Sequence, residues 1–249
     1  MKFVKAILLL ESSQPFSKTT GDTPAVLVDV LGKNTLARTV ENLNRLGFGE
    51  VIVIAEKSLA ESRAVRESAA GATVVPAADA QLWRMAEQTF EAAAEDSTHV
   101  LIIRLNAYAE LNFDELLEHH RSHLNKVTRV FSGAGDAAKP LDIFLVNSSR
   151  RNDAAFLLRS EMDNARTGTP YLAGPEEYVN FLQHEADLRQ LASDSLHHIS
   201  KMQPAGTEVR PGIWIAADAQ IDKRARLVAP IFVGSRARIC PGAVVTRGS

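Results

Sequence analysis

A carboxylate stands at the first place where this chain could cradle a phosphate. Residues Ala6–Leu10 form an unbroken apolar run, and Glu11, Ser12 and Ser13 follow directly. The turn leaving a buried strand holds phosphate through backbone N–H groups, and glycines let the anion come close. Residues 11–15 contain no glycine. A left-handed backbone costs a residue with a side chain roughly 1–2 kcal/mol. Glu11 adds repulsion: a carboxylate about 5 Å from a phosphate charge opposes it by roughly 3 kcal/mol at an effective dielectric near 20. Ser12, Ser13 and Lys18 remain as candidates for contacting an anionic ligand.

A second group of polar residues follows the strand expected at 100–105. Asn106 and Tyr108 stand there, and Tyr108 offers a ring that could stack on a base or sugar. Asn106, Glu110 and Asp142 could ligate a metal, but a polar loop is the preferred reading. His119, His120 and His123 sit on an expected helix, and the i,i+4 spacing of His119 and His123 can bind zinc. With no third ligand nearby and no His-Glu-x-x-His pattern, a solvated helix face is expected instead. The loop 133–139 reads as a turn, and His197-His198 as part of a polar link. No residue is assigned a catalytic or metal-binding role.

Alternating elements position these candidates. Buried strands are expected at Val4–Leu10, 51–55, 72–76 and 100–105, with a later one at 143–147. Helices are expected at 35–46, 58–70, 80–95, 114–124, 153–159 and 176–192. That alternation implies helices packed on a mostly parallel sheet.

From Ile215 onward an apolar residue recurs at every sixth position: Ile215, Ile221, Leu227, Val233, Ile239, Val245. Mostly small residues follow each by four: Ala219, Ala225, Ile231, Ala237, Ala243. This is the hexapeptide pattern of a parallel β-helix. Arg224, Arg226, Arg236 and Arg238 alternate with it and should point outward. No histidine follows His198, so the tail supplies no imidazole base.

Bulk properties bound the function. The chain has 249 residues and a formal net charge of -2, which gives no reason to expect nucleic-acid binding. The single cysteine, Cys240, excludes an intramolecular disulfide framework and fits a reducing compartment. Lys2 and Lys5 before a short apolar core mimic a signal peptide, but Glu11 ends the run. No stretch approaches the length of a membrane span, so the protein is expected in the cytoplasm and off the membrane.

Several of these segments together resemble the sugar-1-phosphate nucleotidyltransferases. They are the strand 6–10, Pro24-Ala25-Val26-Leu27-Val28 with Gly32-Lys33, Leu36 and the helix 39–47, and the strand 50–54. Asn112-Phe113-Asp114 with His120-Arg121 resembles the helix after the family's central strand. Gly174-Pro175-Glu176-Glu177-Tyr178 resembles its Thr-Pro-Glu-Asp-Tyr stretch, and the hexapeptide tail adds to the likeness. The resemblance implies a Rossmann-like α/β domain over 1–205 and a short left-handed β-helix over 209–249.

It also implies four chemical elements that this chain lacks. The family's Gly-Gly-x-Gly turn with its arginine is replaced by residues 11–15. The phosphate-contacting lysine of its Pro-Lys pair is Ala25. The metal-binding aspartate of its Gly-Asp pair falls at Ala107-Tyr108, and the second metal aspartate falls in the acid-free segment 171–174. The expectation is therefore a catalytically degenerate, regulatory or scaffolding protein of nucleotide-sugar or polysaccharide metabolism. It would bind a nucleotide or sugar phosphate weakly, use no cofactor, and join itself or a partner protein through the tail. The alternatives are assembly alone, or an active enzyme with relocated residues, which would need Mg2+ to make a nucleotide sugar and pyrophosphate.

Overall fold

The structure is a computed structural model and describes residues 3–11, 23–78, 80–133, 138–153, 157–163 and 168–246. The apolar runs form strands β1 (Val4–Leu10), β4 (Glu50–Glu56), β5 (Thr73–Ala77) and β6 (His99–Arg104). Between β1 and β4 lie a short hairpin, β2 (Asp29–Val30) and β3 (Lys33–Asn34), and helix α1 (Thr35–Arg45). Asn34 caps α1 by accepting from the Ala37 N–H at 3.0 Å. Helices α2 (Lys57–Ala60) and α3 (Arg63–Ser68) connect β4 to β5, and α4 (Leu82–Ala93) connects β5 to β6.

After β6 the chain forms β7 (Ala107–Glu110), α5 (Phe113–Ser122), β8 (Val127–Ser132), β9 (Lys139–Asn147), α6 (Leu158–Asp163), β10 (Tyr171–Leu172), β11 (Tyr178–Phe181) and α7 (Glu185–Leu196). A seven-stranded sheet runs β10-β8-β9-β6-β1-β4-β5, parallel except for β9, which is antiparallel to both neighbours. The period-2 pleat splits β1 between two cores. Ala6, Leu8 and Leu10 pack beneath α1, α3 and α5. Ile7 and Leu9 pack beneath α4 and α6. Leu8 and Leu9 are fully buried, and each such side chain contributes roughly 1.5–3 kcal/mol.

Three expected helices are corrected. Residues 58–70 form two short helices, because Ser62 turns extended and caps α3 by accepting from the Val65 N–H at 3.2 Å. Residues 176–192 begin with β11, which pairs antiparallel with β7 from Tyr178↔Glu110 to Phe181↔Ala107; only then does α7 start. The helix expected at 153–159 begins at Leu158 among the described residues. The strand expected at 143–147 extends over the nine residues of β9. Most of the loop 133–139 lies outside the described residues.

The tail contains β12 (Thr207–Arg210), β13 (Ile213–Ile215), β14 (Gln220–Ile221), β15 (Arg226–Val228), β16 (Ile231–Val233), β17 (Arg238–Ile239) and β18 (Val244–Thr246). Parallel pairs join Ile213↔Ile231, Gln220↔Arg238 and Arg226↔Val244. In each pair the chain returns to itself after three six-residue units. Ile215, Ile221, Leu227, Val233, Ile239 and Val245 share one apolar cluster, so the periodic residues point inward.

The end of α5 carries a strained residue. Leu124 adopts φ 53° and is 88% exposed, while the next residue closes the turn through Asn125 N–H to the His120 carbonyl. A side chain costs roughly 1–2 kcal/mol in this conformation and makes little packing here. Leu124→Gly should raise stability by about 1 kcal/mol in urea unfolding; a loss would show that the leucine packs usefully.

Candidate functional site

The carboxyl ends of β1 and β6 bring four charged residues together. Leu9 pairs with Arg104, so Glu11, two residues on, lies on the same sheet face. Ile103 pairs with Ile143, which places Asp142 beside Arg104. Arg104 donates to Glu11 Oε2 from Nε at 3.1 Å and from Nη2 at 2.6 Å. Its Nη1 lies 3.6 Å from Asp142 Oδ2, and its guanidinium stands 5.9 Å from the centroid of the Trp83 ring. Asn106 donates to Asp142 Oδ2 at 2.6 Å, and Arg129 Nη2 reaches Asp142 Oδ1 at 3.5 Å. Arg129 is buried between the Phe131 and Phe144 rings.

The crevice outside these strand ends is where open α/β sheets bind ligands. Here its arginines already face carboxylates. The same residues do not fit a Mg2+ ion: both Asp142 oxygens face N–H donors, Glu11 is held by Arg104, and two guanidiniums would repel a dication. Among the described residues no group of three or more His, Cys, Asp or Glu could hold a metal.

A second concavity, of about 780 Å³, opens between α1, β7, the loop 174–177 and residues 201–205. Tyr108 stands in its wall and is 8% exposed. The Tyr108 hydroxyl donates to Glu110 Oε1 at 3.0 Å; burial, then the Glu110 charge, pushes the phenol far above its usual range. Glu110 Oε2 accepts the Lys201 N–H at 2.7 Å. Arg38 donates to the carbonyls of Lys33 (3.2 Å), Gln203 (2.6 Å) and Val30 (2.9 Å), and burial lowers its pKa. Glu177 accepts from the Tyr171 hydroxyl and from the N–H groups of Asn112 and Gly174, folding its loop against α5.

The sequence candidates are thus divided. Ser12, Ser13 and Lys18 lie outside the described residues. Asn106 joins the cluster at the strand ends, whereas Tyr108 belongs to the cleft and to the apolar cluster under α7, which leaves its ring little free face. Lys33 forms an ion pair with Glu41 at 2.7 Å on the surface. Sequence reasoning missed Arg104, Arg129, Trp83 and Arg38. Arg104 and Arg129 did leave a signal, as lone cations closing or interrupting buried strands.

The histidines of α5 also divide. His119 and His123 stack 4.1 Å apart, but His120 is 1% exposed, contrary to a solvated face. His120 Nδ1 lies 2.9 Å from Thr128 Oγ1, its Nε2 has no partner, and its ring meets His99 edge-on at 5.0 Å. Burial first, then the charges of His99, His119 and Arg121, holds the His120 pKa down to about 4; burial and Arg121 lower that of His99. Between pH 6.5 and 4 the unfolded chain therefore binds the proton that the folded chain refuses. The neutral ring's contribution, about 3 kcal/mol for His120, is complete above pH 6.5 and is lost as pH falls toward 4. Urea unfolding at both ends of that window should show the loss, and His120→Gln should abolish this part; an unchanged difference would overturn the assignment.

The seven-stranded, mostly parallel sheet with helices on both faces is a fold shared with known structures. Among solved structures, HddC from Yersinia pseudotuberculosis is similar, with a TM-score of 0.55 and 13% identity, covering 76% of this chain and 97% of that one. HddC complexed with GMP-PN matches with a TM-score of 0.54 and the same identity and coverage. At that identity the likeness speaks for the fold alone. No protein-family model and no curated protein matches the chain.

Proposed function

We propose that the chain is a catalytically degenerate relative of the sugar-1-phosphate nucleotidyltransferases, with a regulatory or scaffolding role in nucleotide-sugar or polysaccharide metabolism. It binds a nucleotide or sugar phosphate weakly and assembles through its tail. The Glu11–Arg104 pair carries this reading. It places a fixed negative charge where the fold would seat a phosphate, and it occupies the guanidinium that could hold one. The absence of fit for Mg2+ points the same way, since among the described residues the arginines at the strand ends already face carboxylates and are not free to offset charge on a departing pyrophosphate. The GMP-PN complex of a fold neighbour supports a nucleotide as the ligand class. The 18-residue returns of the tail support a left-handed β-helix, the architecture that accompanies this domain in several family members.

The test is pyrophosphate release with Mg2+ across a panel of nucleoside triphosphates and sugar 1-phosphates, beside thermal shifts with the same ligands. No turnover with a shift at millimolar nucleotide is expected. Turnover at about 1–1000 per second would overturn degeneracy. A flat thermal response to every ligand would overturn the binding role and leave assembly alone.

A further inference from the structure

The chain's charge is segregated. Residues 207–249 contain seven Lys and Arg against three Asp and Glu, whereas residues 1–206 contain 21 against 27. The near-neutral total therefore combines a basic tail with an acidic α/β unit.

Four of the seven cations flank one side of the tail, the one formed by β14 and β17. Arg238 begins β17, beside Gln220 of β14, and both are exposed. Arg236 stands at the turn entering β17, while Lys223 and Arg224 stand at the turn leaving β14. Asp218 accepts from the Ser235 hydroxyl at 2.7 Å and lies near enough to Arg236 to offset part of its charge, and Asp222 holds Arg224 at 3.3 Å. No ion pair involves Lys223, Arg236 or Arg238 among the described residues. Parallel pairing fixes neighbouring layers about 4.8 Å apart, so the charges are presented by a rigid backbone.

A complementary surface lies on the α/β unit. Asp114, Glu115 and Glu118 are exposed on the first turns of α5. Glu177 folds the loop 174–177 against the start of that helix, which brings exposed Glu176 to the same region. No ion pair involves Asp114, Glu118 or Glu176 among the described residues, and none joins this patch to the tail's cations.

We propose that the basic side of the tail docks on the acidic α5 patch of a second copy of this chain. Opposed surfaces of this kind steer encounter and set register, and their strength falls as salt rises. The contact joins two different surfaces, so repetition gives rings or open chains rather than a closed two-fold dimer. This inference names the partner for the assembly part of the reading above; it makes no claim on ligand binding, whose test stands apart.

Sedimentation velocity of the full chain tests it in about 50 mM and about 500 mM salt, either side of a Debye length of roughly 10 Å. Concentration-dependent association at low salt, at least tenfold weaker at high salt, is expected. Arg236→Glu with Arg238→Glu should abolish it, as should Glu118→Lys with Glu176→Lys. All four residues are exposed, and unchanged melting temperatures confirm that the variants fold. Mixing the two double variants should restore association, because each retains one compatible surface. A monomer at low salt, or association unmoved by either reversal, would overturn the proposal.

Discussion

Glu11→Ala is expected to create anion binding at the strand ends. Two effects add. The substitution removes a negative charge that opposes a phosphate about 5 Å away by roughly 3 kcal/mol, which corresponds to about a hundredfold in affinity. It also frees the Nε and Nη2 donors of Arg104, a fork suited to bidentate phosphate contact. Asp142 still approaches Arg104 at 3.6 Å, so the gain has a ceiling. Titration calorimetry with a nucleoside triphosphate should show a dissociation constant at least about tenfold lower than in the wild type. Glu11→Gln should fall between, since it loses the charge but keeps the bulk. The pair is partly exposed, so its loss should lower stability by less than about 1 kcal/mol. Equal affinities in the three proteins would mean that Glu11 does not guard this position.

Gly206→Ala should be more damaging to the fold than any other substitution considered. Gly206 joins the α/β unit to the tail with φ at 140°, a region that side chains rarely enter. A Cβ there would stand 2.5 Å from the Ile215 carbonyl oxygen and 2.8 Å from its carbon. Both are backbone atoms that cannot rotate aside. Strain and overlap together should cost at least about 4 kcal/mol, or roughly 10 °C in melting temperature for a chain this size. A melting temperature within about 2 °C of the wild type would show that the junction can shift.

The parts legible in sequence were those with unambiguous periods. Short apolar runs such as Ala6–Leu10 and Val100–Ile103, bounded by polar residues, match strands buried on both faces, and the six-residue spacing after Ile215 yielded the inward residues of the tail. β7 and β11 escaped because Ala107–Glu110 and Tyr178–Phe181 are short and mixed, and each is defined by the other across a long separation. The break at Ser62 escaped because a capping serine inside a helical pattern also reads as a tolerated polar residue. At the candidate site Glu11 was readable as an obstacle. Its partner was not, since Arg104 meets it only through the β1–β6 register. Arg38 reads as an ordinary solvent-facing cation on α1; its role depends on carbonyls from residues 30, 33 and 203.

That last arrangement ties the two parts of the molecule together. One guanidinium clasps the β2–β3 hairpin and the segment leading to the tail, while the Phe232 ring lies against Gly32 of the same hairpin. A pull on the tail is therefore borne by main-chain oxygens on both sides of the clasp rather than absorbed by a slack tether. Whatever grips the tail holds the first turn of α1 as well.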